Sequence, residues 1–204
     1  MGLFPLKGRS GFLGQTRGTL SELQALAEHA TRAATATLEK LTQTAVSIER
    51  AGVVLVPRAK LAAATGDYVG TEIAARFPLS GPAPGTVATL FSKQDALELV
   101  ALLMGRDAGS VKKIGDLERS AVAEMTNIAL NGAVTAIAEH HGVRFHTGVP
   151  VVETKLSDAG AFFGFDAPGA IDHAVLVESR FLETTRGIHG VMVLVFGVEG
   201  AREE

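Results

Sequence analysis

Ser120, Glu124, Asn127 and Asn131 are spaced four, three and four residues apart in the segment DLERSAVAEMTNIALNGAVTAIAEHHG. At the ~100° per residue of a helix they fall within a stripe only ~60° wide. The apolar side, centred on Ala121, Val122, Met125, Ile128 and Ala129, lies roughly opposite. The spacing therefore predicts a helix that opens at Asp116 and ends before Gly142, with a narrow polar stripe outward and its other face packed on a sheet. Polar stripes are ordinary on such helices, but the composition of this one is not. It holds one carboxylate, two carboxamides and a hydroxyl, and no Lys or Arg that would make supporting helix pairs. Asn does not titrate, so Glu124 and Asn127 cannot act as a nucleophile and its base. A carboxylate can instead pair with a cation on another molecule, while an amide orients a water or an oxyanion through two hydrogen bonds. That is a chemistry of positioning.

Other chemistry-bearing residues read more simply. His140, His141 and His146 do not make a metal set, because neighbouring helical residues point to different sides and no Cys or close carboxylate completes the group. Histidines at a helix C-terminus are explained by the negative end of the helix dipole. The glycines of residues 8–18 precede no GK[ST] and follow no strand, so they form no phosphate loop. Arg180, Glu183 and Arg186 read as solvated surface, and Asp116 and Glu118 as capping of the helix that carries the stripe.

Positioning requires a rigid frame. The chain has 204 residues, 47% hydrophobic and 20% charged, the balance of a globular protein. Residues 1–18 carry five glycines and no periodicity and read as an irregular leader. A helix follows to about Leu41, opened by a capping box at Thr19-Leu-Ser-Glu22, with Leu23, Leu26, Ala30, Ala33, Ala34, Thr37 and Leu41 on its inward face. Strands are expected at 45–56, 71–78, 85–91, 149–155, 161–166, 174–181 and 190–196, the last two joined by the turn Thr184-Thr-Arg-Gly187. A short helix is expected after Ser92-Lys-Gln-Asp95. Helices do not alternate strictly with strands, which predicts an α+β fold with a mainly antiparallel sheet. Ala33-Ala-Thr-Ala36 and Ala133-Val-Thr-Ala136 lie 100 residues apart, each in the second half of a long helix, a weak internal repeat.

Composition bounds the partners. Nineteen basic against 22 acidic side chains leave a net charge of −3, so no basic excess is available for nucleic acid. The absence of cysteine removes thiol catalysis, disulfides and thiolate metal sites. The most apolar run, Val191 to Phe196, is far short of the roughly 18 residues of a spanning segment. A soluble, cytoplasmic protein without membrane insertion is expected.

The pattern Ser120-x3-Glu124-x2-Asn127, followed by 22 residues and Pro150, resembles the signature of the CheC/CheX/FliY chemotaxis phosphatase family at every position. NIALNGAVTAIA resembles the segment after the family's Asn, and the likeness extends over about residues 19–200. It implies a duplicated α+β fold, a single domain over 19–204. A first half over 19–105 and a second over 106–200 would each be opened by a long helix on one face of a shared sheet. It also implies hydrolysis of the aspartyl phosphate of a CheY-type response regulator. Asn127 would orient the attacking water and Glu124 would pair with the regulator's lysine. Ser120, Asn131 and Pro150 would support the site or contact the partner. The Mg2+ would belong to the regulator, with no cofactor or metal in this chain. Many CheC proteins carry the motif twice, but at the 100-residue offset this chain has Leu20, Gln24 and Ala27, with Arg50 in place of the proline. The first site therefore lacks the residues required. CheX proteins have one motif in a shorter, dimeric chain, so the length favours a CheC-like unit with one working site. FliY and FliM add a C-terminal switch-binding domain, which is not expected in a chain ending at Glu204. The alternative implied by the same resemblance is a non-catalytic module that sequesters a response regulator or regulates a CheD-type deamidase.

Overall fold

Alanine and threonine, more than leucine, seat the first long helix. In the computed structural model, which describes residues 20–164 and 173–198, α1 spans Leu20–Thr42. Ala27, Ala30, Ala34 and Leu38 are buried at its centre, while Leu26, Ala33, Thr37 and Leu41 are only half-buried on its flanks. The threonine hydroxyls of 31, 35, 37 and 42 each donate to the carbonyl four residues back, so polar atoms enter the core already satisfied. The leader, the cap at Thr19 and the tail after Val198 lie outside the described residues.

The second long helix, α4, spans Asp116–His141 and packs against α1. The two backbones come close at Gly132, where an added Cβ would lie 2.6 Å from Thr37 Oγ1 and 2.9 Å from the Ala33 carbonyl oxygen. The close approach expected of the alanine-rich halves is thus present, with a glycine at the tightest point. By length and hydropathy alone α4 could cross a membrane, but half of its most apolar window is buried inside this fold.

Both helices lie on one face of a seven-stranded antiparallel sheet. Its strands are β1 (Val46–Pro57), β2 (Ile73–Ser80), β3 (Gly85–Phe91), β4 (His146–Thr147), β5 (Val151–Thr154), β6 (His173–Glu183) and β7 (Ile188–Val198). The order is β1-β6-β7-β3-β2-β4, with β5 also paired to β2. Strands from before and after residue 105 therefore interleave in one sheet. Exchanging β1, β2 and β3 for β5, β6 and β7 turns the order β1-β6-β7-β3-β2-β5 into its own reverse. Ala75, Phe77, Val87, Val177 and Leu194 face the long helices together with α3 (Lys93–Leu103). The alternate residues Ala74, Ala88, Leu176 and Val195 face a second core built on Leu61 of the short helix α2 (Leu61–Ala64), Tyr68, Phe162 and Phe163. Ser92 caps α3 as expected, its hydroxyl accepting the Asp95 N–H at 3.1 Å.

Three expectations are corrected. Residues 161–163, expected to begin a strand over 161–166, belong instead to the short helix α5 (Ala159–Phe163), because the Asp158 carboxylate caps it by accepting the Ala161 N–H at 3.0 Å. Asp166 lies outside the described residues. The strand expected over 149–155 is shortened to β5, which starts only after Pro150, a residue with no N–H to give a ladder, and the unexpected two-residue strand β4 precedes it. Glu183 is no surface residue. It is 1% exposed, and its carboxylate accepts the backbone N–H groups of Thr185 at 2.7 Å and Arg186 at 3.0 Å, closing the turn between β6 and β7. Arg186 is half-buried against Glu98 and donates to the Arg106 carbonyl, while Arg180 is exposed as expected. A charged residue reads as surface from type alone; here the turn's own N–H groups compensate the burial of Glu183.

Candidate functional site

The rotation of α4 about its own axis decides what its polar stripe can reach. Glu118 accepts the Gly115 N–H at 3.0 Å at the start of the helix. At the end Gly142 takes the left-handed conformation (φ 62°), and Val143 N–H reaches the Ala138 carbonyl at 2.9 Å. Between these ends Val122, Met125, Ala129 and Ala133 are buried on the sheet side. The buried Thr126 hydroxyl meets the Thr89 hydroxyl of β3 at 2.6 Å and also donates to the Val122 carbonyl. Thr126 directly precedes Asn127, so this tether to β3 sets the direction of the stripe. The inward face is turned slightly from the expected one: Leu130 is fully buried, and Ala121 and Ile128 are half-buried.

Ser120 and Glu124 are exposed, and their side chains have no hydrogen-bonding or ionic partner among the described residues. Asn127 and Asn131 are half-buried, and Asn131 Nδ2 donates to Asn127 Oδ1 at 2.9 Å. This bond orients the Asn127 amide. Its Oδ1 faces along the helix and both N–H donors remain available for an incoming oxygen. The stripe thus presents a free carboxylate and, one turn further, a pre-oriented amide.

Pro150 is half-buried in the connection between β4 and β5, and β5 lies beside α4. Among the described residues no hydrogen bond or ion pair joins it to Glu124 or Asn127. At the corresponding places in the first half, Gln24 is exposed on α1, Ala27 is 2% exposed in the core and Arg50 is exposed on β1. A methyl group in the core cannot take the part of an amide. The rings of His140 and His141 stand edge to face, 4.9 Å apart, and His146 is exposed on β4. Burial, and then the neighbouring His140, push the His141 pKa below the usual histidine value.

No family sequence model and no curated protein sequence matches the chain. Solved structures do. FliY from Thermotoga maritima superposes with a TM-score of 0.64 at 15% identity, over 87% of this chain and 89% of that one. CheX from Desulfovibrio desulfuricans gives 0.58 at 17% identity, over 84% and 99%. A CheX–CheY–BeF3–Mg2+ complex from Borrelia burgdorferi gives 0.56 at 14% identity, over 84% and 97%. This is the fold of the CheC, CheX and FliY chemotaxis proteins. In this CheC-like fold the four-residue stripe lies on the second long helix, and the first helix carries no counterpart to it.

Proposed function

We propose that this protein hydrolyses the aspartyl phosphate of a CheY-type response regulator. One observation carries the reading: on the outward stripe of α4 Glu124 is exposed without a partner among the described residues, and the half-buried Asn127 amide is already oriented by Asn131. The CheX–CheY complex named above supports the partner class, since a protein of the same fold assembles there with CheY.

An acyl phosphate is already activated, so a catalyst needs mainly to align a water with the phosphorus and hold the geometry. The Asn127 amide suits that role. Inserted beside the phosphoryl group, it holds the water by hydrogen bonds at no cost of reorientation. Glu124 pairs with a lysine next to the partner's phosphoryl group and fixes the depth and angle of insertion. Ser120, one turn before Glu124, extends the contact. The metal that neutralises the phosphate oxygens belongs to the partner in this scheme.

The test is release of labelled phosphate from the same organism's phosphorylated CheY-type receivers, with and without this protein. Faster release from one receiver is the expected result. Binding to a phosphorylated receiver with no gain in release would replace hydrolysis by sequestration.

A further inference from the structure

Four of the chain's nineteen basic side chains converge on one cavity. It measures about 630 Å³ and is lined by Lys93, Lys113, Arg119 and Lys155. They come from four places: the start of α3, the loop before α4, the first turn of α4, and the residue just after β5. None of the four is paired with a carboxylate among the described residues. The one acidic residue in the lining, Glu72, is turned to the backbone and accepts the Lys93 N–H at 2.9 Å. In a chain of net charge −3, four cations against one carboxylate around one hollow leave a net repulsion that an anion between them relieves.

The frame around the cavity is held by the backbone. Lys155 N–H reaches the Glu72 carbonyl, Leu156 N–H the Thr71 carbonyl, and Gly70 N–H the Leu156 carbonyl, each at 2.8 Å. Lys155 itself has φ 69°, a left-handed conformation that glycine would adopt without strain. A lysine there puts a charge at the rim where a glycine would have served the turn.

We propose that this cavity is a binding site for a small, multiply charged anion of the phosphate class, separate from the Glu124/Asn127 pair. Its volume is that of a small-molecule site. Its apolar lining is confined to Ile73 and Ile114 with no aromatic ring, so recognition rests on charge and not on stacking of a base. Arg119 supplies a planar fork that can hold two oxygens of one phosphate, and the three lysines supply point charges around it.

The experiment is calorimetric titration of the full chain with pyrophosphate and with orthophosphate. Sodium chloride at matched ionic strength serves as the control. Pyrophosphate is expected to bind saturably at one site and more tightly than orthophosphate. In K113A/K155A, whose two side chains are exposed and make no hydrogen bond or ion pair among the described residues, affinity is expected to fall by about tenfold or more. R119A, checked for an unchanged unfolding temperature, is expected to weaken binding comparably. The proposal is overturned if titration shows no saturable binding, if chloride reproduces the effect, or if K113A/K155A binds as well as the unaltered chain. Binding of poly-glutamate without binding of pyrophosphate would assign the basic surface to an acidic protein partner and overturn it equally. None of these outcomes depends on whether the chain hydrolyses an aspartyl phosphate.

Discussion

Asn127 and Glu124 stand one helical turn apart, yet their losses are expected at different steps. Asn127→Ala removes a donor that acts on water in the transition state, so turnover should fall on the order of 10²-fold while regulator binding stays near normal. Single-turnover dephosphorylation alongside a binding titration separates the two; near-normal turnover would sink the positioning mechanism. Glu124→Ala removes a charge whose partner is left unpaired in the docked complex. Its expected effect is weaker binding by about 2 kcal/mol together with slower release. Asn131→Ala leaves both groups in place but frees the Asn127 amide to rotate. It should lower turnover by a smaller factor than Asn127→Ala with binding unchanged, and Asn131→Gln should not restore it if the 2.9 Å geometry is what matters. Gln24→Ala, on the exposed face of α1, should change release by no more than about twofold, as surface substitutions away from special features do.

At the scale of elements, the contact between α1 and α4 decides how firmly the stripe is held. Gly132→Ala places a methyl group 2.6 Å from Thr37 Oγ1 and 2.9 Å from a backbone oxygen that cannot swing away. The helices must separate, and overpacking of this kind costs about 1–3 kcal/mol. Denaturant unfolding checks the loss, and a variant as stable as the parent would show that the helices are not in tight contact. Thr126 presents the opposite case. Thr126→Val keeps the shape but leaves the Thr89 hydroxyl without the bond that ties α4 to β3, and a loss of about 1 kcal/mol is expected.

For the whole molecule, acid stability has an identifiable contributor. Burial alone would raise the Glu183 pKa, but the N–H groups of Arg186 and Thr185, with hydroxyls of Thr44 and Thr185, outweigh it and hold the carboxyl below the usual glutamate value. A depressed folded pKa means the stabilisation is fully present above the unfolded value. It is lost as pH falls through the folded value, below the ordinary carboxylate range. His141 acts in the same direction at higher pH: its folded pKa is lowered, so stability begins to fall once an unfolded histidine would take up a proton. Glu183→Gln should therefore lower stability at neutral pH and flatten its decline below the glutamate range. Unfolding curves from pH 7 to pH 3 measure both effects. An undiminished slope would remove Glu183 from the account.

The stripe of α4, the alanine-rich seam of the long helices and the α+β order were legible because each rests on periodicity within one segment. Ser120, Glu124, Asn127 and Asn131 share a face by helical spacing alone, and the caps at Ser92 and Glu118 are local hydrogen bonds. Pairings between distant segments were not legible. The bond from Thr126 to Thr89 spans 37 residues, and it settles the rotation of the helix that carries the stripe. Glu183 reads as surface by type and becomes core because a turn supplies its N–H groups. Residues 161–163 of the short helix α5 read as the start of a strand, since two adjacent phenylalanines have no period and only the second core gives both a place. The basic cavity draws its four cations from positions 93, 113, 119 and 155, a clustering that exists only after β5 is laid along β2 beside the start of α4. Local patterns need only the backbone's own geometry; charge clusters and buried polar pairs need the chain to have folded.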